Sequence, residues 1–130
     1  MFLNLGVLLW VMWLLFSPVL LTETFNEPFP VEPQIVERGG DITIFIEFEK
    51  FTNYRVDIHK NIICNDGSIT PMAPQASQAP IGVHYVEAEV TIPRLAPTGT
   101  CYIEFTNTYH INALRNEERV RMTEEFVIIE

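Results

Sequence analysis

The sequence has little positive charge and none near its start. It carries 8 lysines and arginines against 17 aspartates and glutamates, which gives a formal net charge of −9, and no charged side chain precedes Glu23. A surface with so few cations repels phosphate backbones. No lysine- or arginine-rich amphipathic stretch is present to draw the domain onto anionic lipid. The composition therefore predicts no nucleic-acid partner.

The short motifs that carry much catalytic chemistry are also missing. There is no G-x-S-x-G elbow, H-E-x-x-H helix, P-loop or glycine-rich dinucleotide fingerprint. The serines are Ser17, Ser68 and Ser77, and none of them lies in a nucleophile motif. The sequence predicts a protein that is not an enzyme and that needs no cofactor or metal.

Carboxylate–imidazole pairs are the remaining candidates for chemistry. Asp57 and His59 lie two residues apart, so on a strand they project to the same side. His110 is expected on an outer strand face as well, and His84 begins the strand after a long loop. A two- or three-ligand metal site or a catalytic pair fits this spacing, but a solvated strand face is the favoured interpretation.

Cysteine is scarce, with only Cys64 and Cys101 present. No C-x-x-C spacing or histidine-rich ligand set accompanies them, which argues against zinc and redox catalysis. Behind an apolar N-terminus, such a pair predicts a disulfide in an oxidising compartment, and two buried free thiols are the alternative. The absence of an N-x-S/T sequon favours the bacterial periplasm over a glycosylated eukaryotic surface.

An uncharged apolar stretch opens the chain. Residues 5–21 are interrupted only by Ser17 and Pro18 and would span about 25 Å as a helix, which is at the short end for a bilayer core. A cleaved signal peptide would show a cationic start and small residues before its cut site, and neither is present. Residues 1–22 are therefore predicted to be a retained transmembrane anchor in the lipid bilayer. A cleaved signal peptide and a buried core helix are the alternatives.

The chain divides into three parts by composition. Residues 23–37 are rich in proline and glutamate and are predicted to form an extended linker, which merges into an edge strand near 34–37. Residues 38–130 contain every segment with sustained period-two alternation and are predicted to form one domain. The predicted localisation is a single-pass membrane protein with this domain in the periplasm or extracellular space.

The alternation predicts an all-β, antiparallel sandwich behind the single transmembrane helix. In 41–51, for example, Ile42, Ile44, Ile46 and Phe48 fall on one face. Similar patterns recur in 54–64, 86–92, 101–111 and 119–128, where Glu124 breaks the parity and indicates a bulge or two short strands. Sustained alternation with polar outer faces is typical of antiparallel strands covered on one side.

One short stretch carries a resemblance to a known architecture. Leu95, Pro97, Gly99, Cys101 and Tyr102 resemble the entry to the penultimate strand of immunoglobulin-like and fibronectin-type sandwiches. The resemblance implies architecture and not function. It departs from antibody-type domains because no tryptophan lies in the domain.

The segment 65–82 has a single charged residue and is long for a connection between strands. It is predicted to be either a plain surface connection or a binding loop with Ile69, Met72 and Ile81 as contacts. Tyr85 and Tyr102, whose parity points them outward, are further candidate contacts.

The sequence predicts a membrane-anchored, non-catalytic interaction module that binds a protein or glycan partner through its extracytoplasmic immunoglobulin-like domain. The alternative is a phage-type envelope or lysis protein that acts stoichiometrically on membranes. An enzyme is the third and least favoured possibility.

Overall fold

In the computed structural model, residues 22–77 and 79–130 are described, and they form two β-sheets with no helix. The strands of these ranges are β1 (Thr22–Thr24), β2 (Val31–Glu32), β3 (Ile35–Glu37), β4 (Asp41–Lys50), β5 (Arg55–Cys64), β6 (Ile69–Pro71), β7 (Gln75–Ser77), β8 (Gly82–Thr91), β9 (Gly99–Asn112), β10 (Arg115–Met122) and β11 (Phe126–Ile129).

The strands divide into a four-stranded and a seven-stranded sheet. In sheet 1, β4 is central, with β8 along one side and β1 and β2 along the other. In sheet 2, β9 is central, with β5 on one side and β10 and β11 on the other, while β6 and β7 border β5 and β3 borders β11. Of the strand pairings in the described ranges, only that of β3 with β11 is parallel. The all-β, largely antiparallel class predicted from the sequence is confirmed.

The apolar side chains of the predicted alternating pattern pack the two sheets against each other. Ile44 of β4 is fully buried, whereas its neighbours Thr43 and Phe45 are only half-buried. In sheet 2, Ile62 and Ile103 lie opposite each other in the register of β5 and β9, and both are fully buried. The main core therefore lies between the sheets, built from residues that recur at every second position.

Cys64 and Cys101 form the predicted disulfide, and both cysteines are buried in the core. They are paired directly in the register of β5 and β9, so the bridge joins neighbouring strands of one sheet. Antibody-type domains bridge their two sheets instead. The structure thus shows a sandwich, and the finer immunoglobulin-like or fibronectin-type assignment stays a prediction.

The segment 23–37, predicted to be a linker, is instead part of the sandwich. Phe29, Val31 and Val36 from this segment are buried in the main core. The backbone N–H of Val31 donates to Oε1 of Glu124 at 2.9 Å, just where the chain passes from β10 to β11. The prolines keep β1, β2 and β3 short without excluding them from edge positions. The edge strand expected near 34–37 is present as β3.

The segment 65–82 is more regular than a surface loop. It contains β6 and β7, which pair with β5 and extend sheet 2. Pro71 ends β6 at an edge of the sheet, where a missing backbone donor is tolerated. Local composition did not indicate these strands, because each has only three residues and forms through its hydrogen bonds with β5.

The predicted membrane span, residues 1–22, falls outside the described residues except for Thr22, which begins β1. Among the residues from 22 onward that the structure describes, no helix is long and apolar enough to cross a bilayer.

Replacing Phe29 with alanine tests whether the proline-rich segment belongs to the folded unit. Phe29 is 3% exposed, and its ring packs edge-on against Phe105 with centroids 6.0 Å apart. We expect Phe29→Ala to lower the free energy of unfolding by about 3–5 kcal/mol. Phe25→Ala, at a position that is 52% exposed, is the control and should change it by less than about 0.5 kcal/mol. Urea denaturation of the full chain measures both, and equal effects would contradict the packing of this segment.

Removing the disulfide should destabilise the domain without abolishing the strand pattern. The bridge joins residues 37 apart in the sequence. Closing such a loop contributes about 3–4 kcal/mol in the chain-entropy model. A Cys64→Ala/Cys101→Ala variant should therefore unfold at lower urea concentration than the oxidised protein. Intact mass measured without reductant checks the bridge itself, and two free thiols there would refute it.

Candidate functional site

The two sheets pack closely around the main core and less closely farther along the strands. Along β4, Ile44 is fully buried, Ile46 and Phe48 are half-buried, and Lys50 is buried again. Val56 of β5 and Tyr109 of β9 form a second, small buried cluster apart from the main core. Along β8, Val90 is 3% exposed but Val86, on the same side of the strand, is 39% exposed. The separation leaves a cleft of about 500 Å³ between the sheets. Sequence parity placed Val86 in the core, and the structure places it on the cleft wall.

The cleft is lined mainly by apolar side chains that point inward from both sheets. The apolar lining residues are Phe29, Ile46, Phe48, Val56, Ile58, Ala76, Ala79, Val86, Ala88, Phe105 and Tyr109. The polar lining residues are Thr22, Thr24, Lys50, Lys60, Gln75, Glu89, Asn107 and Arg121.

One long side of the cleft is closed by contacts between the sheets. The Tyr109 hydroxyl donates to Oγ1 of Thr22 at 3.0 Å, and Arg121 donates to the Thr22 carbonyl at 3.4 Å. These bonds tie β1, at one edge of sheet 1, to β9 and β10 of sheet 2. On the opposite side, the sheets end in β8 and β7, whose residues Val86 and Ala76 line the cleft. The cleft therefore extends to the sheet edges formed by β7 and β8.

Both lysines of the chain, Lys50 and Lys60, line this cleft. Lys50 is 5% exposed, and its Nζ donates to the backbone carbonyl of Ala79 at 2.8 Å. Nζ of Lys60 donates to Oε1 of Gln75 at 2.8 Å. Neither lysine makes an ion pair with a carboxylate of the described residues. Burial lowers the pKa of Lys60, because desolvation disfavours the charged ammonium.

Two further polar groups lie beside the lysines. Lys60 and Arg121 are both paired with Phe105 in the strand register, one on each side of β9. Nε of Arg121 is 3.7 Å from Oε2 of Glu27, so this cation has a carboxylate partner. Oδ1 of Asn107 is buried without a hydrogen-bond partner among the described residues. A carboxamide that faces the cleft in this way can serve an occupant as donor or acceptor, depending on its flip.

Asp57 pairs with His110 and not with His59, the histidine that lies two residues from it in the sequence, and this pair lies outside the cleft. Oδ2 of Asp57 is 2.6 Å from Nε2 of His110 on the neighbouring strand, and Oδ1 is 3.5 Å from Nε of Arg55. The hydrogen bond with His110, aided by the Arg55 charge, holds the pKa of Asp57 below its usual value. Neither partner lines the cleft. In the described ranges, no three histidine, cysteine or acidic side chains are grouped to hold a metal.

Of the five predicted contact residues, the structure brings two together on the outer face of sheet 2. Ile63 of β5 is paired with Tyr102 of β9 on one side and with Ile69 of β6 on the other. The three side chains form a cross-strand row in which Ile69 is 63% exposed and the other two are half-buried. This row faces away from the cleft.

The other predicted contacts do not join this row. Tyr85 lies on the outer face of sheet 1 and is exposed, with its hydroxyl 3.4 Å from Oε1 of Glu87. Ile81 is exposed at the start of β8. Met72 is half-buried and packs against the main core, so it is not a free contact. The predicted set is therefore divided between two opposite faces and the core.

Sequence reasoning missed the cleft, although one signal was available. Lys50 continues the inward parity of Ile44, Ile46 and Phe48, and Lys60 occupies the inward position between Ile58 and Ile62. A lysine at a position whose parity points into a sandwich indicates that the interior is incomplete there, because a buried ammonium is costly.

No protein-family model and no curated protein sequence matches this chain. Among solved structures, a Niemann-Pick type C2 protein from Japanese carpenter ant is similar in fold, with a TM-score of 0.51 and 10% sequence identity. That alignment covers 86% of this chain and 94% of the ant protein. At such an identity the likeness shows the sandwich fold alone.

Two further structures align less well. The C-terminal domain of Wzt has a TM-score of 0.48 at 8% identity, covering 84% of this chain and 74% of that domain. The Pseudomonas fluorescens alkylpurine DNA glycosylase AlkC, bound to DNA containing an abasic site analog, also has a TM-score of 0.48, at 13% identity and 88% coverage of this chain. This chain spans 32% of the glycosylase. The likeness to the ant protein supports a β-sandwich, and no comparison shows a family.

Proposed function

We propose that this chain is a non-catalytic binding protein that holds an apolar or amphiphilic small molecule in the cleft between its sheets. The observation that carries the proposal is the cleft itself. Its volume of about 500 Å³ lies within the range of about 300–1,000 Å³ that is usual for ligand sites. Its walls are mainly apolar with a few polar groups, which is the composition expected of such sites.

The exposed state of inward-facing residues supports the same proposal. Val86 points to the inside of the sandwich yet is 39% exposed, and Ile46, Ile58 and Ala88 are only half-buried. Removing apolar surface from water contributes about 25 cal/mol for each square ångström. An apolar occupant would therefore gain free energy by covering surface that the fold leaves uncovered.

The position of the cleft relative to the predicted anchor suggests where a ligand would come from. Thr22 and Thr24 line the cleft, and Thr22 follows directly on the apolar residues 1–21. If those residues are held in a bilayer, as proposed, the cleft lies close to the membrane surface. A single-pass protein with its domain in the periplasm or extracellular space would then exchange molecules with that membrane.

The other sequence-based functions stay predictions. A protein or glycan partner is favoured only by exposed side chains that lie on opposite faces. The phage-type lysis protein has no further support in the fold. An enzyme is less favoured, because the Asp57–His110 pair lies outside the cleft.

Filling the cleft tests the proposed function. Ala88→Trp places a large ring against the cleft wall and should weaken the binding of a neutral apolar ligand such as dodecanol by about tenfold or more, since each 1.4 kcal/mol of lost contact is a factor of ten. Val83→Trp is the matched control, because Val83 lies on the opposite side of the same strand and is 68% exposed. Native mass spectrometry of the full chain released from a non-ionic detergent counts the bound molecules.

The thermal midpoint of each variant shows whether the domain still folds. Unchanged dodecanol binding by a folded Ala88→Trp protein would contradict the cleft as the binding site, as would equal losses in the two tryptophan variants.

A further inference from the structure

The two lysines of the cleft have no carboxylate partner among the described residues, and we propose that the ligand supplies the counter-charge. The inferred ligand is an amphiphile with one anionic head group, a carboxylate or a phosphate, which Lys50 and Lys60 bind while its apolar chain lies in the cleft. This inference rests on the proposed function and adds the chemical class of the ligand to it.

The first argument is the cost of the buried charge. Lys50 is 5% exposed, and Lys60 is desolvated enough for its pKa to be lowered. Moving an ammonium out of water costs several kcal/mol unless an opposite charge or several hydrogen bonds compensate it. Among the residues that the structure describes, each ammonium has one neutral acceptor, the Ala79 carbonyl for Lys50 and the Gln75 side chain for Lys60. Because an ammonium carries three donors, both keep donors for a further partner.

The second argument is the position of the two ammonium groups. Their acceptors, Gln75 and Ala79, lie four positions apart, in β7 and just beyond it. Both ammonium groups therefore bond to one short stretch of the chain, at and just after β7. Ile58 and Phe105 line the cleft next to Lys60, since Ile58 lies two residues before it on β5 and Phe105 is paired with it on β9. Ammonium groups beside apolar wall fit a molecule with a charged head and a hydrocarbon tail.

The third argument is the contrast with the rest of the molecule. The chain has a net charge of −9 and only two lysines, and both face the same cleft. Glu89 is the carboxylate among the described lining residues, and it lies on the exposed, outward side of β8. Arg121 adds a third cation to the lining of the cleft. The cleft thus concentrates cationic and donor groups in an otherwise acidic protein.

The test compares ligands that share one chain and differ in the head group. Dodecanoate, dodecyl phosphate and dodecanol are titrated into the full chain, and inorganic phosphate is titrated alone. We expect the wild-type protein to bind dodecanoate or dodecyl phosphate at least about tenfold more tightly than dodecanol, because charge-assisted hydrogen bonds replace neutral ones. Inorganic phosphate alone should bind far more weakly than dodecyl phosphate.

Substitutions at the lysines identify the groups responsible. Lys50→Met and Lys60→Met should each reduce the ratio of the affinity for dodecanoate to the affinity for dodecanol, because each removes a charge that only the anionic ligand can use. Both should remain folded, since replacing a buried charge by an apolar side chain of similar size is often neutral or stabilising. Lys60→Arg should retain the preference. Arg38→Met is the control, because it removes the same charge at an exposed position outside the cleft.

The outcomes separate this inference from the proposed function. Equal affinity of the wild-type protein for dodecanoate, dodecyl phosphate and dodecanol overturns the anionic ligand and leaves the cleft as a site for apolar molecules. Binding of none of the three overturns the proposed function as well. Inorganic phosphate that binds as tightly as dodecyl phosphate overturns the amphiphile, since the chain would then contribute nothing. A preference that survives both methionine substitutions excludes the lysines as its source.

Discussion

The packing of aliphatic side chains between the sheets, at the end that contains the disulfide, is the interaction on which the other features depend. Ile44 of sheet 1 and Ile62 and Ile103 of sheet 2 are fully buried there. Cys64 and Cys101 fix the register of β5 against β9 at the same end. Because this core holds the two sheets together, they can pack less closely around the cleft without loss of the fold.

The segment before β4 closes one side of the cleft. Its strand β1 joins sheet 1, and Thr22 receives hydrogen bonds from Tyr109 and Arg121 of sheet 2. Farther along, Phe29 enters the core and packs against Phe105. These contacts close the side of the cleft that β1 borders. The proline-rich segment is thus a structural part of the cleft, and it also connects the cleft to the apolar N-terminal stretch.

The two lysines of the cleft occupy inward positions, where a β-sandwich normally has apolar side chains. Inward positions of a sheet are normally apolar, because a buried ammonium is costly unless it is paired. Lys50 and Lys60 occupy two such positions and are compensated only by neutral acceptors among the described residues. Local departures from good packing concentrate at functional sites, where an occupant completes the interactions. In a sandwich with only a structural role, apolar side chains would be expected at these two positions.

Local pattern was sufficient for the long strands and for the disulfide. Period-two alternation identified β4, β5, β8 and β9, because each buries one face and the side-chain period of a strand is two. The disulfide was expected because only two cysteines lie behind an apolar N-terminus. Alternation could not identify β2, β6 and β7, since strands of two or three residues carry almost no pattern and exist only through their partners.

The cleft was decided by tertiary structure alone. The alternation of the sequence indicates that Val86, Ile46 and Lys50 face inward, but it does not indicate whether side chains of the opposite sheet pack against them. That depends on the distance between two sheets, which is set by contacts between residues far apart in the chain, such as Tyr109 and Thr22. The sequence by itself determined which face of each strand is apolar. Only the folded structure decided where those faces touch and where they leave room.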